Sequence, residues 1–144
     1  MTLTPVHILL VEDNEGDIIL TLEAFQDSKI KTKISVAKNG EEALDFLFQK
    51  GKFEGSERPD LVLLDINIPI YNGHEVLKQI KSNESLTKIP VIMLTTSANK
   101  KDIHQAYQYH ANSYVTKPIE MDEFLKTILK IEEFWLQLCK LAND

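Results

Sequence analysis

The sequence has a single cysteine, Cys139. It can form no disulfide within the chain, and the expected setting is a reducing cytoplasm. Basic residues are in deficit: 16 Lys and Arg against 22 Asp and Glu give a formal net charge of −6. Phosphate backbones are held by an excess of Lys and Arg, so no global attraction to nucleic acid is expected. No apolar run approaches the roughly 18–20 residues of a membrane span. No basic start followed by an apolar stretch and a cleavage site opens the chain, which argues against secretion. Glycine is scarce, with 5 in 144 residues, and neither a GxGxxG nor a GxxxxGK-S/T phosphate loop occurs. The histidines His7, His74, His104 and His110 share no metal-binding spacing, and no Ser–His–Asp arrangement of any specificity is present.

What is present is enough for one core: 43% of the residues are hydrophobic. Strand-like and helix-like segments alternate. Val6 to Val11 is apolar except for His7 and reads as a fully buried strand. Gly16 to Ser28 carries Ile19, Leu22 and Phe25 at helical spacing. Thr32 to Ala37 alternates. Asn39-Gly40 opens a helix with Ala43, Leu44 and Leu47. Leu61 to Asp65, Gly73 to Lys81, Pro90 to Leu94, Lys100 to Tyr109 and Ser113 to Val115 continue the pattern, and Glu120 begins a long final helix. Five such alternations imply an α/β fold with a parallel sheet, and continuous apolar strands imply burial on both faces. Gln49 to Pro59 is polar and glycine-bearing, and reads as a surface insertion.

In open sheets of this kind ligands sit at the carboxyl ends of the strands. Glu12, Asp13, Asp65, Thr95 and Lys117 all fall there. Alone, an acid at such a place is equally a helix cap. Together, clustered carboxylates repel unless a cation compensates, and Mg²⁺ suits them because it takes oxygen ligands and still accepts a phosphate oxygen. Asp65 is then available as a nucleophile, with the metal and Lys117 neutralising charge on a moving phosphoryl group. Lys117 taken alone is a surface lysine, but it stands directly before Pro118, where a cis bond costs only about 0.5–1 kcal/mol and such a turn would aim the side chain over the strand ends. Thr95 reads either as a helix cap or loop hydroxyl or as a hydrogen-bond donor to phosphate, and Tyr114 most simply as a half-buried strand residue.

Val11-Glu12-Asp13-Asn14, Leu64-Asp65-Ile66-Asn67-Ile68-Pro69 with Gly73, Leu94-Thr95-Thr96-Ser97 and Tyr114-Val115-Thr116-Lys117-Pro118 stand in an order and spacing that resembles the receiver domain of two-component response regulators, from about Val6 to about Ile131. The long loop, Leu86-Thr87-Lys88-Ile89-Pro90 and Glu132-Glu133-Phe134-Trp135-Leu136 resemble more narrowly the single-domain regulators that partner cyanobacterial phytochrome kinases. The resemblance implies a flavodoxin-like (CheY-like) doubly wound five-stranded parallel sheet in the order 2-1-3-4-5. It implies that Asp65 accepts a phosphoryl group from a histidine of a sensor histidine kinase, here a phytochrome. It implies Mg²⁺ held by the Asp13 and Asp65 carboxylates, the Asn67 backbone carbonyl and, through a water, Glu12. It implies Thr95 and Lys117 on the phosphoryl oxygens and Tyr114 as a rotamer switch that turns from exposed to buried. Glu12 departs from the aspartate more often found at its place, and Thr96 from a smaller residue.

The expected organisation is one receiver domain over residues 1–144 with an extended last helix and no output domain, because the stretch from Lys117 to Asp144 has room for one helix and a tail. That helix is expected from Met121 to Leu141. Phe124, Ile128, Ile131 and Trp135 would lie on the sheet, and Phe134, Leu138 and Leu141 would form a second apolar set beyond it. Such a set marks an interface, either with the domain's own surface or, as the sharper expectation, in a homodimer built on Tyr114, Phe134, Trp135 and Leu138. The signal would leave through a protein surface, with no DNA and no membrane as partner. Two competitors remain: a receiver-like module that is never phosphorylated, and a small aspartyl-phosphate phosphatase. The phosphatase would want an acid two residues after Asp65, where Asn67 stands.

Overall fold

The structure, a computed structural model, describes residues 5–142. Its elements follow in the order β1 (Val6–Val11), α1 (Glu15–Gln26), β2 (Thr32–Ala37), α2 (Gly40–Leu47), β3 (Leu61–Leu64), α3 (Gly73–Ser82), β4 (Val91–Thr95), α4 (Lys100–Gln108), β5 (Ser113–Thr116) and α5 (Met121–Ile131). All paired strands are parallel, in the order β2-β1-β3-β4-β5. The alternation implied the parallel α/β sheet, and the family resemblance implied this doubly wound, flavodoxin-like order.

The three central strands bury both faces, and alternate residues supply two separate cores. Leu9, Val11, Val62, Leu64 and Met93 face Ala43, Leu47, Leu77, Ile80 and Ala106 from α2, α3 and α4. Ile8, Leu10, Leu61, Leu63, Ile92 and Leu94 face Ile18, Phe25, Phe124 and Ile128 from α1 and α5. The first four helices start in the same way. Asn14, Asn39, Asn72 and Asn99 are extended N-cap residues whose side chains accept from the backbone N–H of Asp17, Glu42, Glu75 and Lys101. An asparagine cap satisfies an otherwise orphaned amide and fixes where each strand-to-helix turn ends.

Two local expectations are corrected. The segment Gln49 to Pro59 is not only surface. It contains a single 3₁₀ turn, Gly51–Phe53, and the Phe53 ring packs edge-on against buried Phe46 at 5.2 Å. The Arg58 side chain donates to the Leu47 carbonyl at 3.1 Å.

The last helix is also shorter than its apolar spacing suggests. The α-helix stops at Ile131, and Glu132–Leu138 continues as a π-helical turn before Cys139 becomes extended. The Cys139 N–H bonds the Phe134 carbonyl at 3.0 Å, five residues back. The wider turn lets two adjacent residues, Trp135 and Leu136, pack on the α1–α5 core. It splits the expected second apolar set: Leu141 is buried, whereas Phe134 and Leu138 are 50% and 71% exposed. No described helix is long and apolar enough to cross a membrane.

Candidate functional site

Three residues stand one place beyond a strand, each with its own amide still bonded to the neighbouring strand. Glu12 N–H donates to Ala37 at 3.0 Å, Asp65 N–H to Val11 at 3.1 Å and Lys117 N–H to Thr95 at 2.7 Å. Their side chains therefore leave a fixed backbone edge and meet. The Lys117 ammonium donates to Glu12 Oε1, to Asp65 Oδ2 at 3.0 Å and to Asp17 Oδ2 at 3.0 Å. All described peptide bonds are trans, so the lysine is aimed by its strand and not by a cis bond before Pro118.

Glu12, Asp13 and Asp65 each offer one carboxylate oxygen, and these oxygens lie within 4.8 Å of one another. That oxygen-only set fits a hard divalent cation. Glu12 and Asp65 are buried and Asp13 is exposed, which leaves the set open on one side. Asn67 is exposed on the β3–α3 loop, two residues after Asp65. Gly73, at the start of α3, donates to the Ile66 carbonyl at 2.8 Å and lies so close that a Cβ there would overlap the Asp65 carbonyl oxygen.

The cluster carries more acid than base, and its titration reflects that. Burial pushes Glu12 up to about 7; the bond from Lys117 opposes this and the charge of Asp65 adds to it. Burial works against a charged Lys117, but its bond to Glu12 and the charges of Asp65 and Glu12 outweigh it and raise its pKa. The lysine is therefore a cation, and the crowding of acids in a buried place favours the protonated form of Glu12. Asp65 Oδ1 accepts from the Ile66 N–H at 2.7 Å.

Thr95 is wholly buried, and its Oγ1 accepts from Ser97 N–H at 3.5 Å. Tyr114 is half-buried, and its hydroxyl already donates to the Ser97 carbonyl at 2.8 Å. The expected exposed starting position of Tyr114 is therefore not the one found, because this bond draws the ring inward. Burial raises its pKa.

Two groups escape a reading of the sequence. Asp17 reaches Lys117 from the first turn of α1; its spacing of four from Asp13 is the only signal that pointed there. Ser97 Oγ bonds Asp102 at 2.7 Å, and Asp102 bonds buried His74 at 3.2 Å. That chain crosses three elements and leaves no sequence pattern. On the far side, Val115, Thr127, Lys130, Ile131, Phe134 and Trp135 line an apolar groove of about 380 Å³.

Comparison with known proteins agrees with this geometry. Residues 8–129 match the response regulator receiver domain model. The chain is 42% identical over 137 residues to response regulator Rcp1 of Synechocystis sp., covering 95% of this chain and 93% of that protein. It superimposes with a TM-score of 0.94 on the phosphorylated cyanobacterial phytochrome response regulator RcpA, at 41% identity, covering 96% of this chain and 99% of that one. The Mn²⁺-bound form of Rcp1 superimposes with a TM-score of 0.93 at 42% identity, with the same two coverages.

Proposed function

This chain belongs to the response regulator receiver family of two-component signalling, and from that premise we propose that Asp65 is its phosphoacceptor. The observation that carries the assignment is the convergence of Lys117, Glu12 and Asp13 on a buried carboxylate at the end of a central strand. One Asp65 oxygen attacks phosphorus and forms the acyl phosphate. The P–N bond to the donor histidine breaks, and its electron pair returns to the imidazole nitrogen. Lys117 receives a developing phosphoryl oxygen, and the Thr95 hydroxyl donates to a second. Glu12, Asp13, Asp65 and the Asn67 carbonyl would hold Mg²⁺, which supplies charge neutralisation on the phosphoryl oxygens.

The donor is a sensor histidine kinase of the cytoplasm. The likeness to Rcp1 and RcpA supports a phytochrome as that kinase. The receiver domain acts as a signalling protein, with self-phosphorylation and dephosphorylation as its chemistry. The readout passes through Thr95 and Tyr114, a two-state element biased by new charge. A homodimer through Tyr114, Phe134, Trp135 and Leu138 is supported by the exposure of Phe134 and Leu138 beside the apolar groove. Phe134→Asp should then sediment as a monomer where the wild type is a dimer; a monomeric wild type at high concentration removes the dimer.

The assignment is tested by incubating the protein with Mg²⁺ and acetyl phosphate and looking for a one-phosphate mass gain mapped to Asp65. No gain, from this donor or from a histidine kinase, leaves the unphosphorylated module as the reading. Release of free phosphate from a small phosphate ester would favour the phosphatase.

A further inference from the structure

We propose that Asp17 is the positioning residue for Lys117: the carboxylate that keeps the ammonium aimed at Asp65 when the other two are drawn into metal and phosphoryl binding. This rests on the phosphoacceptor reading. An ammonium has three N–H donors, and each goes to a different acid: Glu12, Asp17 and Asp65. Two of those acids have another task. Glu12 and Asp65 belong to the set whose oxygens cluster for a cation, and Asp17 does not. Asp65 also gives up its carboxylate charge when it becomes an acyl phosphate. Asp17 alone of the three keeps both its charge and its lone pairs throughout the reaction.

The plainer role for an acid at this place is in the cap. Asp17 is the third residue of α1, where an acid commonly reaches back to the amide of the cap residue. Glu42 and Glu75 hold the same place in α2 and α3. At α1, however, the Asn14 amide is given to Glu12 Oε2 at 3.2 Å, and the Asp17 carboxylate turns to the lysine instead. Its own backbone is held firmly: its N–H bonds Asn14 Oδ1 at 2.9 Å, and its carbonyl accepts from Thr21 Oγ1 at 2.7 Å. Buried Ile18 and Phe25 fix the helix on the sheet. The contact is thus made from a rigid element that contributes no candidate metal ligand. The Asp17 side chain is 27% exposed and Lys117 only 3%, so the acid stands between the lysine and solvent.

The test uses the full chain. A double-mutant cycle of Asp17→Asn and Lys117→Gln is read by thermal melting without and with saturating Mg²⁺. In parallel, the rate of phosphate uptake from acetyl phosphate by Asp17→Asn is read by intact mass. The coupling between the two positions should grow when Mg²⁺ is added. Asp17→Asn should be labelled roughly five- to tenfold more slowly, the size of one ordinary net hydrogen bond, because the amide oxygen still accepts but the charge is gone, with its Mg²⁺ affinity unchanged. A coupling that stays the same or shrinks with Mg²⁺, or labelling at the wild-type rate, overturns the proposal. A wild type that takes no phosphate from any donor removes the phosphoacceptor reading instead, and the melting cycle still decides whether Asp17 holds Lys117.

Discussion

At Asp65 a carboxylate sits where negative charge is already in surplus, beside Glu12, Asp13 and Asp17, with one lysine to balance them. Asp65→Asn should abolish phosphate uptake, because an amide is no nucleophile. It should also melt at or above the wild-type temperature in the absence of Mg²⁺, by up to about 1 kcal/mol of added stability. A variant melting well below the wild type would show that the Lys117 contact outweighs the repulsion. His7 gives a second prediction, in pH. It is buried, with Nε2 on Ser35 Oγ at 2.9 Å. Burial holds its pKa below the ordinary 6.5; nearby Lys33 adds to this, while Asp60 and Glu57 oppose it. Below about pH 6.5 the unfolded chain takes a proton that the folded chain resists, so stability should fall as pH drops from there. His7→Gln should flatten that limb in urea titrations between pH 7 and pH 5. The acids, threonine and lysine of the site were legible because each ends an apolar run. Asp17 and His74 were not, because each stands in the first turn of a helix, where a polar residue ordinarily only caps or meets solvent.

Gly73 joins two elements, the β3–α3 loop and the first turn of α3. A methyl group there would overlap backbone atoms of Asp65 and Ile66, and backbone moves away only by shifting the loop. Gly73→Ala should cost on the order of 1–3 kcal/mol in chemical denaturation and slow labelling of Asp65. A midpoint within error of the wild type would mean the loop accommodates it freely. The strands were easy to read, since β1, β3 and β4 are apolar runs interrupted only by His7 in β1 and closed by Thr95 in β4. The end of α5 was not. Ile131, Trp135 and Leu138 keep helical spacing in sequence, but the choice between an α and a π turn depends on whether Trp135 and Leu136 can both reach the core. Spacing alone does not encode that. Leu141 likewise returns to a buried place through an extended Cys139.

For the molecule as a whole, a cation bound to the folded acids and not to the dispersed ones raises stability by mass action, about 2.7 kcal/mol at a hundredfold excess over the dissociation constant. Mg²⁺ should therefore raise the melting temperature, and Asp13→Ala should remove most of that rise at little cost to the metal-free fold, since Asp13 is exposed. Equal shifts in both proteins would place the cation elsewhere. The three amides that continue the ladder past the strand ends, at Glu12, Asp65 and Lys117, carry a last consequence for hydrogen exchange. Glu12 and Asp65 extend the inner strands β1 and β3, so their amides should exchange only when the sheet opens, among the slowest in the chain, and the Lys117 amide, beyond edge strand β5, somewhat sooner. The Ser97 amide, whose contact to Thr95 Oγ1 is 3.5 Å, should exchange far sooner. Protection should thus fall steeply within a few residues: the atoms that receive the phosphoryl group stay still, and the turn that reports it is the part left free to open.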